Sequence, residues 1–452
     1  ETIRETAAAT SGDPIRALAI SSQGEACHAV DRAGRCLSRS PVTFDVRTSD
    51  APKWWRERIS HLEIARISGM PLHGMYSLNK ILWFKHNEPD TFARAWKFLC
   101  YEDFVLLRLG LPPTISHSLA ARTMALDAQS HVWSERLLNI AGIDPELFAS
   151  PASSGSVVGE IPSSIAADLG LRSGVLAITG GHDQPAGALG AGIFEPGEAL
   201  YATGTVDCIC PVFGDFVMTE EQARNNLCCY PSCSPGLFCS IAFNFTGGSL
   251  LKWYRDTLAG DERAAAAASG RDVYDIICES IPSEPERLII LPHFTVTGTP
   301  YFDTASRGAI VGMTLTTPRN EIVSAILSGV TFEMKLNLEV LQNSGARISR
   351  LRASGGGAKS RLWIQRKADI MGLPIAVLEV PEAAALGVAA LAAEGAGLIG
   401  AASEFASARV RIRETIDPDP SRILAYQERF EIYKQLYPAL REINHRLSEL
   451  TT

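Results

Sequence analysis

Basic blocks are missing from this sequence. Its 42 Lys and Arg are outnumbered by 50 Asp and Glu, the net charge is −8, and no Lys/Arg-rich tail gathers positive potential for nucleic acid or an anionic membrane surface. Long apolar runs are missing too. The most apolar stretch, residues 387–402, is rich in Ala and Gly and interrupted by Glu394, whereas a bilayer-crossing helix needs about 20 predominantly apolar residues. Charges within residues 1–9 occupy the place where a signal peptide carries its apolar region, so a cytoplasmic chain is expected. Zinc-type cysteine pairing is also lacking. Six of the ten cysteines (Cys208, Cys210, Cys228, Cys229, Cys233 and Cys239) crowd together with no C-x-x-C spacing and no histidine among them. They read as small buried hydrophobes, and no metal ligand set is expected.

What is present is ample core-forming material. With 452 residues, 46% of them hydrophobic, the chain has enough for two or more domains at about 100–200 residues each. Strand and helix signals alternate, which predicts an α/β architecture. Residues 15–21 read as a strand, and residues 26–34 as a second strand with a turn. Residues 52–111 are helical, with Trp54, Trp55, Ile59 and Leu62 spaced for a core-facing side. Residues 175–179 form a strand ending in Gly180, Gly181, His182 and Asp183. Beyond it, residues 199–203 and 208–212 read as strands joined by a tight turn at Gly204 and Thr205. Helices are predicted over 319–341, 361–371 and 422–450, the last a surface amphipath. Two α/β lobes follow, 1–193 and 194–452, with a central cleft expected between them.

Three places have the composition of a site. The first is TGGHDQPAGALGAG, residues 179–192, where a carboxylate just past the end of a buried strand projects to the side on which open α/β sheets bind ligands. Asp183 is the candidate base. The competing reading makes it an ordinary helix N-cap, and the adjacent His182 reads as a local hydrogen-bonder. The glycines after it run G-x-x-G-x-G, the wrong order for a dinucleotide fingerprint. The second place, SGGGAKS at residues 354–360, is not a P-loop, because Ala358 separates the glycines from Lys359. It leaves a backbone that a flat or anionic ligand can approach, or simply a turn. The third is the Gly204-Thr205 turn, whose amides and hydroxyl suit a terminal phosphate, although such a turn also serves merely to reverse the chain.

Taken in order along the chain, SSQGE (residues 21–25), FDVR (44–47), AART (120–123), GGHDQPAGALGAG (180–192), YATGT (201–205), GGSLLKWYRD (247–256), ASRGAIVGM (305–313) and GGGAKSRLWIQRKADIMGLPI (355–375) resemble the FGGY carbohydrate kinases, of the actin-like (ribonuclease H-like) ATPase fold. The resemblance spans nearly the whole chain. It implies an ATP- and Mg²⁺-dependent transfer of phosphate to a sugar or polyol hydroxyl, a ketopentose such as xylulose by default, in a possible homodimer. It further implies that Asp183 is the catalytic base and that Gln23, Gly24, Glu25, His117 and Gln184 contact the sugar. Gly204 and Thr205 would hold the γ-phosphate, Gly248 and Lys252 flank the nucleotide, and Gly355, Gly356, Gly357 and Ala358 bracket adenosine. One departure stands out: the family's opening Asp-x-Gly-Thr phosphate hairpin has no counterpart. The expectation is that Glu1 falls inside the segment following it, since losing that strand would leave buried backbone groups unpaired. The rival readings are a non-catalytic nucleotide-binding relative and an actin-like ATPase.

Overall fold

The computed structural model describes residues 1–282 and 284–450. Its contacts divide the chain into two compact units, and the division is not a single cut. The first unit takes Glu1–Glu195, Val212–Ser240 and Glu382–Val410, and the second takes Pro196–Pro211, Ile241–Pro381 and Arg411–Thr452. The boundary expected at 193/194 therefore captures only part of the arrangement, because two later segments return to the first unit. Their packing explains the return: helix Ala383–Gly395 lies against helix Asp183–Gly190, sharing a core of Ala186, Leu189, Val388 and Leu391.

In the first unit, strand Leu176–His182 is central, paired in parallel with Ala17–Ser22 and antiparallel with Val157–Glu160. Ala177 and Ile178 are fully buried, and Leu106, Ile161 and Val175 extend the core to one side. The strand following the first, His28–Val30, pairs with Lys97–Leu99 and turns back at residues 31–34 to bridge Cys36. Helices Ala51–Arg56, His61–Ser68, Ser77–Asn87, Pro89–Arg94 and Tyr101–Arg108 occupy most of the stretch expected to be helical, with Trp55 and Ile64 buried, but Lys97–Leu99 interrupts it as a strand because it pairs with His28–Val30.

In the second unit, the sheet order is Ala242–Asn244, Asp207–Phe213, Gly197–Thr203, Ile348–Ser354, Ile375–Leu378, Ile412–Ile416. Gly197–Thr203 and Asp207–Phe213 form the expected hairpin, while Ile348–Ser354 runs parallel to both its neighbours. Helices cover a parallel core, so Leu351, Ala353 and Ile375 to Val377 are fully buried and the strands read as apolar runs. Helices Arg319–Asn343 and Arg361–Met371 pack together, and Pro420–Leu450 buries Tyr426, Phe430 and Tyr433 against Phe332 and Ile370. Their spacing is one face of a helix, as the amphipathic pattern predicts. The six clustered cysteines are all buried thiols. Among the described residues, no helix is long and apolar enough to cross a membrane.

Candidate active site

Asp183 opens a helix immediately after the central strand of the first unit, at the carboxyl end where the backbone leaves the sheet. The capping position falls to His182, and no side chain caps the helix there, which removes the N-cap reading for Asp183. Its side chain keeps 40% of its surface open. Crowding protein around it nevertheless strips solvent, and that desolvation, together with the charge of Glu25, raises its pKa to about 6. The Gln184 side chain hydrogen-bonds the carboxylate and pulls the other way, while the Gln184 Oε1 atom is buried with no hydrogen-bond partner among the described residues.

Behind Asp183 stands a buried ion pair. Arg122 Nε donates to Glu25 Oε1 at 2.6 Å, and Thr43 Oγ1 donates to Glu25 Oε2 at 3.0 Å. Both charged side chains are under 5% exposed, at 3% and 4%. The Glu25 carbonyl accepts from Ser77 Oγ and Lys80 Nζ, which pins the left-handed turn at φ 65. Arg122 lies over the rings of Tyr76 and Tyr230 and also touches Met70 and Cys228 sulfur. Glu25 is therefore not an open pocket carboxylate: both its oxygens are committed to protein partners. Gly24 sits where a side chain would strike Arg122, and Gln23 is exposed. Burial and the Arg122 charge push the His182 pKa well down, so the ring is neutral. Its Nδ1 is 2.8 Å from the Tyr230 hydroxyl and its Nε2 3.5 Å from Asp183. His182 is thus the local hydrogen-bonder expected of it. His117 is set differently: its ring lies 4.6 Å from that of His131, and the two line a cavity of about 120 Å³ whose walls mix Ser154, Ser232 and Ser234 with Pro231, Leu237 and Phe238.

The second unit holds a larger cavity of about 790 Å³. Gly204, Thr205, Gly248, Lys252, Gly356 and Gly357 line it, so the turn, the helix start and the glycine loop expected from sequence converge on one space. Gly355 and Ala358 do not line it. Gly355 makes the turn at φ 99 with its Cα face against the Thr203 carbonyl, and Ala358 points inward at 5% exposure. The cavity's size lies within the range of about 300–1,000 Å³ usual for small-molecule and cofactor sites.

Residues 1–190 match the N-terminal domain, and residues 208–396 the C-terminal domain, of the FGGY family of carbohydrate kinases. The chain belongs to that family. It is 27% identical over 433 residues to the xylulose kinase of Bacillus subtilis (strain 168), an alignment covering 96% of this chain and 85% of that one. It is 26% identical over 445 residues to the autoinducer-2 kinase of Klebsiella pneumoniae, covering 95% and 82%. The ligand-bound xylulose kinase from Lactobacillus acidophilus shares the fold at a TM-score of 0.86, with 23% identity over 97% of this chain and 88% of that structure. The fold is thus the two-lobe actin-like ATPase fold, and the chain is a sugar kinase with ATP as phosphate donor.

Several residues around this kinase's candidate site escaped the sequence reading. Glu102, fully buried, accepts the Gly180 amide at 2.6 Å and the Ser116 amide at 2.7 Å, tying the Asp183 strand to its neighbour. Arg122 entered only as part of a motif, and Tyr230 not at all. In the kinase's cavity, Asp272, Tyr274, Asp275, Cys278, Lys359, Ser360 and Trp363 add to the predicted walls. Lys359 and Ser360 belong to the glycine motif, whereas residues 272–278 carry no local signal of their own.

Proposed function

We propose that this kinase phosphorylates a hydroxyl of a small ketose, xylulose being the first candidate, with Asp183 as general base. The observation that carries the reading is Asp183 itself: a partly open carboxylate at a strand end with its pKa raised to about 6, more basic than an ordinary carboxylate yet ionised at neutral pH. Gln184 Oε1, without a hydrogen-bond partner among the described residues, offers an acceptor to a second substrate hydroxyl. The Glu25–Arg122 pair acts one step back, holding the loop of Gln23 and Gly24 and setting the field at Asp183. Phosphoryl transfer asks mainly for positioning and charge stabilisation. Gly204 and Thr205 would receive the terminal phosphate, Lys252 and Lys359 offset its charge, and the glycines Gly356 and Gly357 let the nucleotide lie against backbone. Mg²⁺ neutralises phosphate charge in such reactions and is commonly held by phosphates, waters and one or two carboxylates. Asp272 and Asp275, which line the same cavity, would be the carboxylates available to it.

The relatives named as xylulose kinases support the ketopentose. A panel of ketopentoses, hexoses, sugar acids and polyols with MgATP tests it, with product read by mass. Xylulose is expected to turn over fastest, and a flat panel would refute the assignment. In the same assay Asp183→Asn should remain folded and lose at least about a hundredfold in turnover, the low end for removing a general base.

A further inference from the structure

A buried cation in the second unit has no part in the chemistry so far. Lys367, on helix Arg361–Met371, donates through Nζ to the Asp207 carboxylate at 2.6 Å and to Thr203 Oγ1 at 2.6 Å. The side chains of Lys367 and Asp207 are both 0% exposed. The rings of Tyr201 and Trp363 stand 4.3 and 4.4 Å from the ammonium, and the Tyr201 hydroxyl donates to the same carboxylate oxygen at 3.0 Å. Thr203 and Asp207 face each other across the hairpin, so the lysine clamps both feet of the Gly204-Thr205 turn. The cluster also reaches the other cavity walls. Trp363 lines the cavity, and a Cβ on Gly357 would collide with Thr203 Oγ1. The Gly248 amide donates to the Gly204 carbonyl at 2.7 Å and the Gly247 amide to the Thr205 carbonyl at 3.0 Å.

We propose that Lys367 is a positioning residue for the phosphoryl donor: it fixes the Gly204-Thr205 turn and, by cancelling the Asp207 charge, keeps an uncompensated carboxylate from standing beneath the phosphate-receiving backbone. The proposal rests on reading the cavity as the nucleotide site. A buried ion pair is a poor way to gain stability, because desolvation of both charges consumes most of the attraction. Its consequence for a polyanion is larger and has a sign. Without the lysine, Asp207 repels phosphate through a medium that screens little. Without the aspartate charge, the repulsion is absent.

The test reads nucleotide affinity directly, by calorimetric titration of MgATP into the full-length protein without sugar, beside the melting temperature and the sugar KM. If the unsubstituted protein binds no MgATP, the nucleotide reading of the cavity falls. If it binds, Lys367→Met is expected to weaken MgATP by about tenfold or more, as truncating one partner of a buried charge pair does, with the sugar KM unchanged. Asp207→Asn should bind at least as tightly as the unsubstituted protein, and the double variant Lys367→Met/Asp207→Asn should regain most of the loss. Equal losses in the two single variants, or a double variant no better than Lys367→Met, would overturn the proposal. Should Lys367→Met not fold, Asp207→Asn and the double variant still decide, because a pair serving only packing would weaken binding in both.

Discussion

Asp183 and Glu25 show how one carboxylate tunes another. Glu25 is already paired with Arg122, yet its charge remains the second contribution, after desolvation, raising the Asp183 pKa to about 6. A base works when ionised, so kcat/KM for the sugar should fall as pH drops through about 6, and the acid limb of the pH profile should report that value. Glu25→Gln removes the nearby negative charge and leaves Arg122 without its counter-ion. Both changes favour the ionised Asp183, so the limb should move to lower pH; a limb fixed in place would mean that Glu25 does not act on Asp183. The same substitution strands a buried guanidinium, which costs about 3–5 kcal/mol by the usual measure of a broken buried pair. Denaturant melts of Glu25→Gln should show that loss. If the variant instead melts like the parent, solvent reaches Arg122 far more freely than its 3% exposure implies.

At the scale of elements, the helix that begins with Asp183 is held by a second helix from much later in the chain. Gly190 faces the Ala383 carbonyl and Gly387 faces the Ala186 carbonyl, so the two helices meet backbone to backbone. A Cβ at Gly387 would strike a carbonyl that cannot move without its helix. Alanine there gains about 1 kcal/mol of helix propensity and loses about 1–3 kcal/mol or more to overpacking. Gly387→Ala is therefore expected to lower the melting temperature and to reduce kcat by shifting the Asp183 helix. Gly260→Ala, in helix Gly260–Ser269 where nothing lies near the added carbon, should leave kcat untouched and not lower the melting temperature. A Gly387→Ala enzyme of unchanged stability would show that the helices are not in contact. The elements themselves were largely legible, because periodicity is local: helix Arg361–Met371 was expected over those same residues, and Tyr426, Phe430 and Tyr433 mark their face by spacing alone. The polar framework was not. Arg122 and Glu25 lie 97 residues apart and Lys367 and Asp207 lie 160 apart. A buried ion pair has no period, and each partner read singly looks like a solvated charge. Asp183 was legible because a β-rich run leading into glycines and an acidic residue announces a strand end, although the strand expected over 175–179 runs on through Gly180 and Gly181 to His182, and Gly204-Thr205 because a hairpin turn is short. Residues 272–278, walls of the same cavity, sit in an ordinary amphipathic helix and gave no sign.

For the molecule as a whole, the route of the chain matters more than any single boundary. A cut at 193/194 would separate the Asp183 helix from Ala383–Gly395, and the Glu25–Arg122 pair from Tyr230 and Cys228, all of which belong to the first unit. The fragment 1–193 would keep its three-stranded sheet and lose the cover over Ala186 and Leu189, which are 0% and 1% exposed in the intact chain. Burying one such leucine contributes about 1.5–3 kcal/mol, and a domain's whole stability is about 5–15 kcal/mol, so losing that core cluster and the 212–240 segment together should remove cooperative folding. Residues 1–193 produced alone are thus expected to bind a hydrophobic dye, to lack near-ultraviolet dichroism and to melt without a sharp transition. Supplying residues 382–410 in trans should restore part of the transition, since that segment brings the missing helix. A fragment 1–193 that unfolds cooperatively unaided would show that the first unit closes its core without the returning segments, and that the Asp183 helix owes its place to the sheet alone.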